Sequence, residues 1–503
     1  MTIVKSILLG SVAGFTVVSG GQAADLPLKA KAVEYVKVCS LYGAGFYYVP
    51  GSDTCIKLGG YLRMDVAANT NSNSGNTSGA GGAQNRFSNG YNWRARQDLS
   101  IDTRTATAYG VLRTYGEVGF TWTDDTYAGN GTGATVYSPI GPSPYSSAPA
   151  NASTGAQGYG TLGVYSVFIQ FAGFTIGKAV SQFSTPWTVY PGNIFDGLVG
   201  GGGAVNGVNQ LTYTAEFGNG VSAAISAQDP TQYTQAGVNN VSAGGAFGTG
   251  DYAGTLAPDI IGSVSVDQPW GFFKASVAAH DNHAAYYGAT EITGHPDDKW
   301  GWAGQLALSI KNLPTGPGDS INVQAVYTDG ATRFNIQEQS QATAMTIYGG
   351  TSLPGAYQSV GFGFAPDTVF AAGTQQQLTK TWGGRGAYNH NWDPFWSTSI
   401  YGAYATVSYN STAKGLICHN ATWVVPTVTS CNPDYNIAQA GIVTRWTPVK
   451  NLTFSADLTY THLDQNMVGT ISAASAAIGK PAAVYQLKNQ DTVMVLFRAQ
   501  RNF

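Results

Sequence analysis

Apolar and polar side chains alternate with a period of two along the last stretch of the chain, Asp491–Phe503, which stops on an aromatic residue. Val493, Val495, Phe497, Ala499 and Phe503 fall on one parity; Thr492, Met494, Arg498, Gln500 and Asn502 fall on the other. This pattern predicts a β-strand lying between an apolar and an aqueous medium. One such strand could equally edge a soluble sandwich, because the signal of a membrane strand is weak segment by segment. Repetition along the chain decides.

The pattern does repeat. From Ile56 onward, Leu58, Leu62, Met64 and Val66 oppose Lys57, Tyr61, Arg63 and Asp65. Trp93–Arg104 sets Arg94, Arg96, Asp98, Asp102 and Arg104 against Trp93, Leu99 and Ile101. Tyr109–Trp122 sets Arg113, Tyr115 and Glu117 against Leu112, Val118, Phe120 and Trp122. Further alternating segments follow at Leu162–Phe171, Phe174–Gln182, Gln210–Phe217, Val221–Gln228, Asp259–Asp267, Gly271–His280, Trp300–Ile310, Ser320–Thr328, Leu378–Asn389, Ser397–Tyr409, Ile437–Trp446 and Leu452–Tyr460. About sixteen strands of roughly nine to thirteen residues result, the length a tilted strand needs to cross a hydrocarbon layer.

The connections alternate as well. Short links (Thr105–Ala108, Ala172-Gly173, Gly218–Gly220, Gln268–Trp270, Asn312–Asp319, Pro448–Asn451) are followed by long ones (Asn69–Asn92, Thr123–Thr161, Asp229–Pro258, Ala331–Gln377, Asn410–Asn436, Thr461–Gln490). Tight turns at one end and long loops at the other characterise an outer-membrane barrel, and a compact soluble domain would not carry such loops. Aromatics gather near segment ends, among them Trp93, Trp122, Trp300, Trp302, Trp382, Trp396, Trp446 and Tyr460, where two interfacial girdles would lie. The predicted fold class is therefore all-β: a transmembrane antiparallel up-and-down β-barrel.

Composition sharpens this. Only 11% of the 503 residues are charged and the mean hydropathy is −0.08, too little charge for a soluble surface and too polar for a bundle of membrane helices. A net charge of −3 without a basic patch gives no reason to expect nucleic acid.

Residues 1–23 read as a secretory signal, with Lys5 in the n-region, Ile7–Val18 as the apolar core and small residues before a cleavage site after Ala23. Residues 24–54 read as an extended segment outside the main sheet, a plug or rim piece, and 55–503 as the barrel. The four cysteines form two close pairs, Cys39 with Cys55 and Cys418 with Cys431, expected to be disulfides in an exported protein. Each would close a loop worth about 3 kcal/mol. Without a CxxC, a metal site is not expected. The six histidines show no motif spacing and no nucleophile with a base in reach, so neither an enzyme nor a cofactor is expected.

The stretches AADLPLKAKAVEYVKVCSLYGAGFYYVPGSDTCIKLGGYLR, FIQFAGFTIGKAVSQFS and VMVLFRAQRNF resemble the alphaproteobacterial porin family of rhizobial type, over essentially the whole mature chain. The resemblance implies sixteen strands in the outer membrane, a homotrimer surrounded by outer-membrane lipids, and passive diffusion of small hydrophilic solutes and ions. It also implies that the loop after strand 5 folds inward as a constriction, here residues 184–209. A substrate-specific channel or a surface-loop adhesin is the alternative.

That loop carries Trp187, Tyr190, Ile194, Phe195 and Leu198, then Gly200–Gly203, with Asp196 its single charge. Apolar anchors and tight turns suit a segment packed on an inner wall. Asp196 is expected to face wall arginines, since charge rings set ion preference in pores. By parity, Arg63, Arg94, Arg96, Arg113 and Glu117 face inward on early strands, and Arg385, Arg445 and Arg498 on later ones. Lys178 shares parity with apolar Phe174 and Ile176, which calls for a bulge or an interfacial position. Arg501 lies on the lipid parity, tolerable at headgroup level near the periplasmic rim, where its cost is about 0–1 kcal/mol.

Overall fold

The computed structural model describes residues 37–69, 91–123, 161–203, 206–232, 237–243, 249–336, 345–349, 358–420, 427–475 and 480–503. The predicted signal at 1–23 and the start of the 24–54 segment lie outside them.

Sixteen strands close into one antiparallel barrel. They are β1 (Cys55–Ala68), β2 (Tyr91–Thr107), β3 (Gly110–Thr123), β4 (Thr161–Phe171), β5 (Phe174–Ala179), β6 (Val208–Gly218), β7 (Val221–Gln228) and β8 (Asp259–Gln268), followed by β9 (Gly271–Asn282), β10 (Lys299–Lys311), β11 (Ser320–Asp329), β12 (Lys380–Asn391), β13 (Trp396–Ser408), β14 (Tyr435–Val449), β15 (Leu452–Gln465) and β16 (Gln490–Asn502). Each pairs with its neighbour in sequence, and β16 pairs with β1 through Tyr61↔Asn502 to Ala68↔Val495. Closure removes the unpaired edges that a hydrocarbon layer would not tolerate.

Side-chain parity follows the sequence reading. Leu62, Ile176, Leu211, Ile225, Val277, Leu306 and Ile400 are all more than half exposed on the outer face. So continuous a belt of exposed apolar side chains identifies a lipid-facing surface. Aromatics pair at both of its rims. Trp302 with Tyr327 (5.2 Å between ring centroids) and Trp382 with Tyr404 (5.3 Å) lie at the loop end; Trp396 with Trp446 (5.9 Å) and Trp446 with Phe454 (5.6 Å) lie at the turn end. At the tight links Ala172-Gly173 and Asn219-Gly220, both residues have positive φ, as two-residue hairpin turns demand.

At the turn end, Tyr47–Tyr48 pairs onto the start of β1 and Cys39 is bridged to Cys55. Arg501 is exposed there and donates to Lys450 O in the β14–β15 turn. Lys178 keeps its outward parity. The bulge lies instead on the neighbouring strand, where the register slips between Ser166 and Val164 opposite β3, and the lysine Nζ donates to Val164 O (2.6 Å).

Above the barrel the structure departs from the sequence reading. Segments expected as irregular loops form a five-stranded sheet in the order Met345–Gly349, Ser359–Gly363, Lys480–Leu487, Val468–Ser475, Val428–Ser430. It has its own core of Val360, Met467, Ile471, Tyr485 and Leu487. Beside it runs a helix, α1 (Ser411–Asn420), whose Cys418 is bridged to Cys431. The inner face of β13–β16 is not wholly wet either. Ala405, Val407, Ile437, Leu463, Met494 and Leu496 share one buried apolar cluster with Ile336, Ile347, Phe364 and Val369 from the loops.

Candidate functional site

The chain between β5 and β6, residues 180–207, is buried along most of its described length yet has no regular hydrogen-bonded partner strand. A few of its backbone groups find backbone partners, as Gly200 N and Gly201 N do in Asn335 O, and others must be met by side chains. The inner wall supplies them. Lys274 Nζ donates to Ser184 O (2.9 Å), Gln305 Nε2 to Phe183 O (2.9 Å) and Asn322 Nδ2 to Pro191 O (3.0 Å). Ile194 N donates to Asp457 Oδ2 (2.8 Å), and Val199 N to Gln439 Oε1 (2.9 Å). These partners lie on β9, β10, β11, β15 and β14, none of which pairs with β5 or β6.

Arg385 on β12 is the most heavily engaged anchor. It is 4% exposed, and its guanidinium donates to Leu198 O (2.9 Å), Thr188 O (2.6 Å), Gly202 O (3.0 Å) and Gln324 Oε1 (3.1 Å). The glycine run is needed where the loop meets this wall. A Cβ on Gly200, whose φ is +87°, would sit 2.3 Å from Gly384 O, and one on Gly201 would sit 2.0 Å from the Gln324 amide. Phe195 is fully buried beside Tyr401, at 6.2 Å between ring centroids.

Asp196 reaches the opposite side. Its Oδ2 accepts from Arg94 Nη1 (2.6 Å) and its Oδ1 from the Tyr190 hydroxyl (2.7 Å). Arg94 also binds Asp65 (2.7 Å), which in turn accepts from Arg498 Nε (2.7 Å). Burial pushes the Asp196 carboxyl up, but the Arg94 and Arg498 charges and the Tyr190 hydroxyl outweigh it and hold it well below the usual carboxylate range. The cluster thus has two arginines against two carboxylates, with every charge compensated.

Residues 25–496 match a family described as Porin subfamily. The chain belongs to this porin family. It is 31% identical over 352 residues to Porin Omp2b of Brucella suis biovar 1 (strain 1330), covering 65% of this chain and 85% of the relative. It is 33% identical over 283 residues to Porin Omp2b of Brucella neotomae, covering 56% and 66% respectively. Among solved structures, the outer membrane channel DcaP of Acinetobacter baumannii superposes with a TM-score of 0.53 at 15% identity, over 91% of this chain and 99% of that one. That likeness concerns the fold alone. The chain is an outer-membrane porin of the general diffusion kind, crossing the membrane many times as strands.

In this porin the arginines singled out by parity fall into two groups. Arg94, Arg385 and Arg498 are buried and Arg445 is half-buried, and all four are committed to loop or wall, Arg445 by donating to Gly192 O and Ser399 Oγ. Arg63, Arg96, Arg104 and Arg113 are half-exposed on the inner face of β1–β3. Arg104 and Arg113 share Asp102, each at 3.0 Å, and the Tyr115 hydroxyl donates to Glu117 (3.1 Å). Residues that parity did not single out are the wall glutamines Gln305, Gln324 and Gln439. Their signal was available, since a glutamine on the inward parity of three separate strands is an amide ready for a backbone partner.

Proposed function

We propose that residues 180–207 form the constriction of a water-filled pore, and that solutes pass between this loop and the wall of β1–β4. The observation that carries the reading is the set of contacts tying the loop to inward side chains of β9–β12, β14 and β15. That side of the lumen is packed, whereas Arg63, Arg96, Arg113 and Glu117 on the other side keep partial exposure. On this reading Arg385 anchors the loop, and Arg94, Arg498 and Asp196 fix its far edge. Small hydrophilic solutes and ions then pass according to size and charge, without a catalytic step.

We also infer assembly as a homotrimer within outer-membrane lipids. A groove on the outer face, where Ala95 and Ala499 sit low among Leu62, Met64, Phe120 and Trp122, would accept side chains of a neighbouring copy.

Planar-bilayer recording and liposome swelling test the pore. Stepwise ohmic conductance is expected, with swelling rates that fall as sugar size rises. Membranes loaded with folded protein that show neither would overturn the reading.

A further inference from the structure

We propose that Arg63 and Arg96 together form a binding station for small organic carboxylates on the lumen wall, which deepens the diffusion-pore reading and rests on it. The two residues are direct cross-strand partners on β1 and β2. Like charges placed directly opposite each other are destabilising, and an anion between them relieves the repulsion. Among the described residues, none lies within ion-pair distance of either guanidinium.

Neutral groups orient the pair instead. Arg63 Nε donates to Gln500 Oε1 (2.8 Å), and Arg96 Nε to Thr121 Oγ1 (2.9 Å). The Arg63 guanidinium carbon stands 4.4 Å from the Tyr61 ring centroid, and that of Arg96 5.5 Å from the Tyr165 ring centroid. Among the described residues, the terminal nitrogens of both arginines have no hydrogen-bond acceptor. Each guanidinium is therefore held in place by its Nε bond and its ring, while its two-pronged edge stays available.

The surrounding acids are engaged or withdrawn. Asp65 is taken by Arg94 and Arg498, and Asp196 by Arg94 and Tyr190. Asp98, the next residue along the same face of β2, feels the charge of both guanidiniums, but it is 2% exposed and forms no ion pair with either. Lower on the wall, Arg104 and Arg113 show the satisfied version of the motif, with Asp102 between them. That pair has a carboxylate in direct contact, whereas Arg63 and Arg96 feel Asp98 only at longer range and leave the contact position to a carboxylate from solution. A planar carboxylate matches the guanidinium fork through two parallel N–H···O bonds, which a monatomic anion cannot form.

The test uses the full-length protein in planar bilayers, with benzoate added at constant KCl. The wild-type channel is expected to show saturable, voltage-dependent reduction of current by benzoate that equal added chloride does not reproduce. The Arg63→Gln/Arg96→Gln channel should need about tenfold more benzoate for the same effect, and the Arg63→Lys/Arg96→Lys channel, which keeps the charge but lacks the fork, should be weakened nearly as much. Conducting wild-type channels indifferent to benzoate, or a lysine pair as sensitive as wild type, would refute the station while leaving the pore standing. Absence of conductance from the wild-type protein would instead refute the pore itself.

Discussion

Replacing Asp196 with Asn removes one negative charge and almost no volume from the loop edge. The cluster then holds Arg94 and Arg498 against Asp65 alone and gains a net positive charge. The asparagine carbonyl still accepts from Arg94 or the Tyr190 hydroxyl, and the contacts of Arg385, Gln439 and Asp457 are untouched, so the loop stays docked. For an ion passing about 8 Å away in a water-like medium, one unit charge is worth about 0.5 kcal/mol. The sign is opposite for anions and cations, so their difference is about 1 kcal/mol, a roughly fivefold rise in the chloride-to-potassium permeability ratio. Salt screens this, because the Debye length falls from about 10 Å at 0.1 M to about 3 Å at 1 M. Reversal potentials across a fixed KCl gradient should therefore shift toward anion preference at low salt and converge with wild type at high salt. An unchanged potential at low salt would place Asp196 away from the ion path and refute the reasoning.

Other perturbations separate loop from barrel. Arg385→Gln strips three carbonyls of their charged donor, a local loss of about 1–3 kcal/mol for each one left unpaired; larger open-channel noise is expected in single-channel records while the barrel stays folded. Cys418→Ser with Cys431→Ser removes the bridge between α1 and the residue that follows the strand Val428–Ser430, a loss of about 3 kcal/mol confined to the loop end; limited proteolysis should cut near 420–430 faster with conductance preserved. Asp367, in the loop between β11 and β12, has its carboxyl pushed up by burial to about 6, so the docked loop binds a proton more tightly than the free chain does. Its contribution is complete below about pH 4 and is lost as pH rises through 6, so protection factors at 364–370, taken against intrinsic exchange at each pH, should be larger at pH 5 than at pH 7.5.

The strands were legible because each alternates between two solvents, a local property that needs no knowledge of partners. Arg63, Arg94 and Arg96 fall inward by counting alone. The sheet above the barrel was not legible, since Ser359 pairs with Gln486 across more than a hundred residues, and Gly/Ala/Ser-rich segments such as Val468–Ser475 carry little alternation of their own. The apolar inner face of β13–β16 breaks the rule that inward means wet. Val407, Ile437 and Leu463 are covered by chain rather than water, so oil lies on both sides of the wall there. Lys178 shows the limit of single-strand counting, because its accommodating bulge belongs to β4. For Asp196 the sequence offered a lone charge facing several arginines; which of them it meets depends on where the loop lands.

All of this rests on a water path along the β1–β4 wall beside a sealed β13–β16 side. The four native cysteines are bridged, so a single introduced cysteine reports its own surroundings. Ser100→Cys on β2 and Leu463→Cys on β15 should be compared by exposing reconstituted channels to a charged, water-soluble methanethiosulfonate. Current should fall promptly for Ser100→Cys and stay constant for Leu463→Cys, whereas prompt modification at Leu463→Cys, or none at Ser100→Cys, would contradict the path.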